Sequence, residues 1–461
     1  MKRKLTEIAD WIQAAGQNLE DIFATGVSID SRTASAGDLF IPFRGEQVNG
    51  HNYVEQAIKQ GAVASLWLKD EPDPPANVPL IFVENHELAL QEMARVYRGM
   101  LQCKVVGITG SNGKTSTKDL IASVLSPYFN VRKTEGNYNN ELGLPLTILS
   151  LEEDTEFAIL EMGMSGFGEI SFLSKLAKPH FAVITNIGEA HMQDLGSRAG
   201  IAKAKFEIID GLQEGGKLFY DGDEPLLQGL VDQLTAVQAV SFGYEKETML
   251  SLEKIESGDE GSRFTVTGLL DGEFTIPVYG AHQVKNALAA ILIANEAAIS
   301  VDDIRGSLRQ ASLTDMRMQP VSVDNGALFI NDAYNAAPTS MRAALAFMED
   351  TELRKEKWVV LADMLELGDE EQVYHENLAD ELVAMKLEGI LLYGPRMKWL
   401  HDKLQNGGME TRLLWSEKDY TPIVNALREY TGVDSIVLLK GSRGMALEYI
   451  LEDLMGKGAG K

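Results

Sequence analysis

The spacing of apolar residues divides this chain into three stretches. Over roughly the first 100 residues the pattern is mixed, with helical spacing from Leu5 to Ala14 and from Tyr53 to Gln60. Between those helices, SIDSRTASAGDLFIPFRGE predicts short strands and turns, and the proline-rich run EPDPPANVP predicts a loop. The pattern then sharpens. KVVGITG, AILEMG and FAVITNIG are short, unbroken apolar runs, the signature of strands buried on both faces. TKDLIASVLSPYF places Leu120, Ile121, Val124, Leu125 and Tyr128 on one helical face, and ALAAILIANEAA predicts a further helix. Alternation of strand and helix predicts a parallel α/β sheet. From about Thr314 a second such alternation begins. LFINDAYNA, WVVLADM, GILLYG and SIVLLKGS read as strands, and LADELVAMKL, PRMKWLHDKL and YTPIVNALREY read as the helices between them. The expected boundaries are 1–101 for a small mixed α/β unit, 102–313 for a central parallel-sheet unit of the phosphate-loop ATPase type, and 314–461 for a Rossmann-like unit, with hinges near 102 and 313. The tail GKGAGK is expected to be disordered.

Composition changes this picture in one respect. With 42 Lys and Arg against 68 Asp and Glu, the formal net charge is -26, so the chain has no general attraction for nucleic acid. A phosphorylated ligand must be held by a concentrated local site. The longest apolar run, Ala287 to Ala294, is about eight residues, well short of the roughly 20 that span a bilayer. The single cysteine, Cys103, cannot form an internal disulfide, and with no secretory leader the expected location is the cytoplasm.

The strongest chemical signal is ITGSNGKTST, residues 108–117. A strand enters it and a helix leaves it. Gly110 and Gly113 allow a tight turn that brings the backbone N–H groups of Ser111, Asn112 and Ser116 to phosphate oxygens, and the helix N-terminus adds its positive end. Lys114 can reach the β- and γ-phosphates, and the Thr115 hydroxyl can ligate Mg²⁺. Ile108 stands where the common pattern G-x-x-x-x-G-K-S/T has its first glycine, so this is a shorter loop. Glu161 ends an apolar strand, where a carboxylate calls for a partner such as a metal ion. Asn186 and His191 follow the next strand, and ligands of parallel sheets sit at such strand ends. In GIAKAKFEIIDGL, spacing does not choose between Lys203 and Lys205.

These residues carry a resemblance to the Mur ligases. DSRTASAGDLFIPFRGE with NGH resembles that family's uridine-nucleotide module, and ITGSNGKTS its short phosphate loop. TEGNYNNELGLP, NIGEAHM, KAKFE, GAHQVKNALAA, INDAYNAAPTSM, LADMLELGDE and LKGSRGM resemble further family blocks. The resemblance implies ATP-driven peptide-bond formation through an acyl phosphate. The strings DAYNAAPTSM and DMLELG imply UDP-N-acetylmuramoyl-tripeptide and D-alanyl-D-alanine as the partners.

Carried over by position, it implies that Lys114 contacts the γ-phosphate, that Thr115 and Glu161 hold one Mg²⁺, and that His191 helps hold a second. Lys205 matches a lysine carbamylated in much of the family. Asn286 matches an asparagine near adenine, Arg317 an arginine reaching the nucleotide from the hinge, and Asp332 and Asn335 a block closing over ATP. Ser31, Arg32, Arg44, Gly45 and Glu46 match the UDP module. Asn137, Asn139 and Asn140 match a segment facing the sugar-peptide, and Lys440, Ser442 and Arg443 a loop near the incoming dipeptide. The chain departs from the family in having Gln283 after His282, Asn331 before Asp332, and Ala337 where asparagine is common. A monomer is expected. The alternatives are a related ligase with another substrate, against which the UDP module and DMLELG argue, and a nucleotide-binding protein that does not ligate, against which Lys114, Glu161 and His191 argue.

Overall fold

A computed structural model describes residues 1–456 except Glu46, Ala190, His191 and Glu410. Three sheets account for the three stretches. The N-terminal sheet has five strands in the order Ala15–Gln17, Leu80–Val83, Ala64–Leu68, Asp38–Phe40 and Gly26–Ser28, parallel except at its first member. The C-terminal sheet has six, in the order Gln319–Ser322, Leu328–Asp332, Ser435–Lys440, Glu356–Ala362, Gly389–Tyr393 and Arg412–Ser416, again with one antiparallel edge.

The central sheet has nine strands. Six of them, Gln238–Gly243, Lys217–Asp221, Phe181–Ile184, Lys104–Thr109, Phe157–Glu161 and Val131–Lys133, are mutually parallel neighbours. Beyond them Leu250–Gly258, Gly261–Gly268 and Gly272–Ile276 form an antiparallel extension. The expected parallel central sheet is present, and it carries this antiparallel extension at one edge. The signal lay in the alternating stretch around FTVTG and its flanking glycine turns, Gly258–Gly261 and Gly268–Gly272.

Burial explains the apolar runs. Phe157–Glu161 and Phe181–Ile184 are buried throughout, as strands between two helical layers must be. One covering helix, Lys114–Leu125, packs on the long helix Ala281–Glu296, whose residues from Asn286 to Ala294 are all buried. That helix is hydrophobic all round because it has neighbours all round.

The two expected hinges differ. Across residue 102 the core is continuous. Leu90, Met93 and Tyr97 of helix His86–Met100 share one apolar cluster with Leu144, Ile148 and Leu173 of the central unit. The Met1 ammonium donates to Leu149 O, Tyr97 Oη to Leu151 O, and Arg98 to Ala177 O, Leu101 O and Lys178 O. The C-terminal sheet has two further clusters, one of which takes in Tyr279 of the central unit, stacked on Phe347. Among the described residues, no helix is long and apolar enough to cross a membrane.

Candidate active site

The phosphate loop forms as its sequence requires. Gly110 has φ +150° and Gly113 φ +80°, left-handed values that L side chains rarely adopt. Gly113 caps helix Lys114–Leu125 with no side-chain cap, so the first-turn N–H groups face outward without an intrahelical partner. The loop is held from behind by the segment after strand Phe181–Ile184. Ser111 N donates to Asn186 O (3.1 Å), Gly188 N to Ser111 Oγ (2.8 Å), and Thr185 Oγ1 to Asn112 O (2.5 Å). The Asn186 amide is spent on Asn112, accepting from its N (3.0 Å) and donating to its O (2.9 Å). Asn186 therefore braces the loop that faces the cavity.

Asn286 is also turned toward the loop. Its amide donates to Gln283 Oε1 (3.2 Å), and a Cβ on Gly113 would meet Asn286 Oδ1 at 2.5 Å. Gly113→Ala thus adds a clash to a left-handed strain of about 1–2 kcal/mol. The expected result is an ATP KM raised by about tenfold, checked by ATP titration of turnover.

Glu161 is 3% exposed at the tip of its strand. Its Oε2 accepts from Thr115 Oγ1 (3.0 Å) and its Oε1 from Asn139 Nδ2 (2.9 Å). Arg317 Nη2 donates to the same Thr115 Oγ1 (3.0 Å), and its guanidinium lies 4.2 Å from the centre of the Tyr334 ring. Arg317 Nε is buried without a partner among the described residues. An orphaned guanidinium donor beside uncapped helix N–H groups suits a polyphosphate. The donor set suits Mg²⁺ as well. Thr115 and Glu161 offer hard oxygens, and among the described residues no three His, Cys, Asp or Glu converge on a metal cage. Mg²⁺ is commonly held by one or two carboxylates with phosphates and water completing its shell.

Lys114 folds back over the loop, its Nζ donating to Gly110 O (2.8 Å). Desolvation pushes its pKa down, Glu161 opposes this, and Arg317 adds to it. The structure also decides between the two lysines of helix Arg198–Phe206. Lys203 is exposed, whereas Lys205 is 3% exposed and its pKa is driven well down, first by burial and then by the Lys114 charge.

Two cavities meet here. One, of about 230 Å³, is lined by the loop residues Ser111 to Ser116, Glu161, His282, Gln283 and Asn286, with Arg317, Asp332, Tyr334, Asn335 and Lys440 from the C-terminal unit. The other, of about 860 Å³, is lined by residues of all three stretches, including Glu87, Asn137, Asn139, Asn140, Phe167, Lys205 and Glu366. Ser111, Lys114, Asn137 and Asn139 line both. A groove of about 930 Å³ along Ser126, Arg132 and Asp302 contains none of the candidate residues.

Other expected residues lie elsewhere or act differently. Lys440, 2% exposed, is paired with Asp332 across neighbouring strand tips (2.5 Å) and faces the smaller cavity. Asn335 gives Lys440 its carbonyl (3.2 Å). Ser442 accepts from Leu365 N (2.9 Å) and so holds the DMLELG loop. Arg443 pairs with Glu448 (2.5 Å) and lines neither cavity.

In the N-terminal unit Arg32 pairs with Asp30 (2.6 Å), and Arg44 with Asp70 (3.0 Å) and Glu71 (2.5 Å). Ser31 is buried, donating to Gln56 Oε1 (3.5 Å), and Gly45 N donates to Val48 O (2.8 Å). None of these lines the two cavities. Glu46 and His191 lie outside the described residues. Residues that sequence reasoning missed include Tyr334 under Arg317 and Thr134, whose Oγ1 accepts from Glu161 N (3.0 Å). Both lie in blocks that carry the resemblance, INDAYNAAPTSM and TEGNYNNELGLP, where nothing singled them out.

Comparison with known proteins now gives the class. Family patterns described as the Mur ligase catalytic domain, middle domain and glutamate ligase domain match residues 24–98, 108–294 and 316–443. The chain belongs to the Mur ligase family. The UDP-N-acetylmuramoyl-tripeptide–D-alanyl-D-alanine ligase of Bacillus subtilis (strain 168) is 43% identical to it over 464 residues, 99% of either chain. A crystal structure of MurF from Acinetobacter baumannii matches with TM-score 0.89 at 28% identity, covering 99% of each chain. MurF from Thermotoga maritima, solved in complex with ADP, matches with TM-score 0.83 at 26% identity over 95% of this chain and 99% of that one.

Proposed function

We propose that this protein joins D-alanyl-D-alanine to the free carboxylate of UDP-N-acetylmuramoyl-tripeptide, cleaving ATP to ADP and phosphate, in peptidoglycan precursor synthesis. The observation that carries this is the shared wall of the two cavities, with Lys114 and Ser111 facing both. ATP fits the smaller cavity against the glycine loop, and the tripeptide carboxylate fits the larger one.

A carboxylate is a poor electrophile because attack on it must expel oxide. Its oxygen attacks the γ-phosphorus, ADP departs, and the acyl phosphate then has a good leaving group. The amine attacks the acyl carbon, phosphate leaves, and the amine loses a proton. Lys114 and the first-turn N–H groups stabilise the phosphoryl charge while it crosses, and fixed alignment lowers the entropic part of the barrier.

Thr115 and Glu161 would hold one Mg²⁺, with Lys205 as a carbamate and His191 at a second. When bound, the metal neutralises phosphate charge so that two anions can meet. Lys205 suits carbamylation because burial favours its neutral amine, the form that adds CO₂. The resulting anion would turn repulsion from Lys114 into attraction. The proposed units are 1–101, 102–313 and 314–461, in a cytoplasmic monomer.

Phosphate release tests the reading. Substantial release is expected only with ATP, the UDP-linked tripeptide and D-alanyl-D-alanine together. ATP turnover indifferent to both acceptors would instead favour an NTPase that does not ligate.

A further inference from the structure

We propose that Asp119 anchors the interdomain linker to the phosphate-loop helix and, through Thr314, positions the Arg317 guanidinium over the Thr115–Glu161 pair. The linker runs along helix Lys114–Leu125 in three steps. Ser312 N donates to Ser123 Oγ (3.3 Å), Thr314 N and Oγ1 donate to Asp119 Oδ2 (2.9 and 2.6 Å), and Arg317 Nη2 donates to Thr115 Oγ1 (3.0 Å). Residues 115, 119 and 123 are successive turns of one helical face, about 6 Å apart. The linker is therefore laid antiparallel along the helix that carries the loop.

Asp119 is the strongest of the three holds. Its carboxylate is fully buried, and its other oxygen accepts from Lys133 Nζ (2.7 Å). Neighbouring Lys118, also buried, donates to Thr134 O (2.7 Å), and Thr134 Oγ1 accepts from Glu161 N (3.0 Å). A circuit results, running by hydrogen bonds from Thr115 through Glu161 and Thr134 to Lys118, on to its chain neighbour Asp119 (3.9 Å) and to Thr314, and closed along the linker by Arg317. Charge-assisted bonds in such a largely buried network hold its geometry.

The far end is held too, since Met318 N donates to Asp332 Oδ1 (3.1 Å). Between the two anchors, Met316 (φ +63°) and Met318 (φ +52°) take left-handed values on either side of Arg317. Non-glycine residues hold such values only where their surroundings impose them. The pivot between the central and C-terminal units is thus confined to residues 315–318, and Arg317 rides on it. Asp119 touches no reacting atom. It is a positioning residue whose effect passes through Arg317.

This rests on the nucleotide reading of the glycine loop, and the test separates the two. Binding of a non-hydrolysable ATP analogue with Mg²⁺ to the full-length protein is measured by calorimetry, with thermal melting confirming that each variant folds. Thr314→Val, which deletes the hydroxyl bond to Asp119, is expected to weaken binding about tenfold, and Thr314→Ser to restore it to within twofold. In an Arg317→Ala background Thr314→Val is expected to cost less than twofold more, because the group it positions is gone. Asp119→Asn, run through the same cycle, is expected to behave alike. Thr314→Val binding as tightly as wild type overturns the anchor, as does an undiminished cost in the Arg317→Ala background. A wild-type protein that does not bind the analogue overturns the nucleotide reading itself.

Discussion

Lys114→Ala is expected to lower kcat about a thousandfold without lowering the melting temperature. The side chain reaches the wall between the two cavities, where the γ-phosphoryl group must pass. Preorganised donors at developing charge are worth about 10²–10³ in rate apiece. Lys114 combines such a donor with a full charge in a site that has to bring two anions together. Among the described residues its Nζ bonds loop carbonyls, Gly110 O and Ser111 O, so it is already placed and pays little reorganisation when phosphate arrives. Stability moves the other way. Desolvation lowers the pKa of Lys114, so its charge is carried at a cost in the folded state, and alanine removes that cost. Phosphate release with all three substrates, alongside a thermal melt, checks both parts. A variant within tenfold of wild type would remove Lys114 from the transfer step.

Lys205→Met is expected to cut ligation at least a hundredfold while raising the melting temperature in CO₂-free buffer. Lys205 is buried, with Lys114 as its charged neighbour, and both facts depress its pKa well below that of a free lysine. The sign follows from linkage. Between the depressed folded pKa and the unfolded value of about 10.4, the unfolded chain binds more protons than the folded one, so stability rises with pH across that window. Methionine has similar length and no proton to bind. Its advantage is therefore expected below the folded pKa and through the window, shrinking as pH climbs toward the unfolded value. A rise of about 2–4 °C corresponds to about 1 kcal/mol in a domain of 150–250 residues. Bicarbonate should narrow the gap by converting wild-type Lys205 to an anion that Lys114 attracts. A methionine variant that melts below wild type without CO₂, or that ligates normally, would contradict the role given to Lys205.

Both predictions concern residues that the chain alone half revealed. The glycine loop was legible because everything it needs is contiguous: a buried strand, two left-handed glycines and a helix start within ten residues. Glu161 was legible as a charge ending an apolar strand. Spacing did not separate Lys205 from Lys203, since both fall on one short helix and only packing buries one of them, and the family resemblance alone pointed to Lys205. The UDP-module arginines are engaged by Asp30, Asp70 and Glu71. Asn186 bonds the loop through both amide atoms. Apart from Asp30, two residues before Arg32 in the chain, these partners are neighbours in space whose identity no local pattern encodes.

From the sequence alone came the acidic net charge, and with it the alternation of strand and helix, the phosphate loop and the family blocks, which depend on residues close together in the chain. Tertiary structure alone decided that residue 102 is bridged by a shared core, while the linker near 314 is pinned to one helix. It also decided that Lys114 stands between two cavities and that Arg317 shares Thr115 with Glu161, 202 and 46 residues distant in sequence from that hydroxyl. Periodicity reports which face of an element is buried. It does not report which distant side chain buries it, and that pairing is what sets charge, reach and motion at this site.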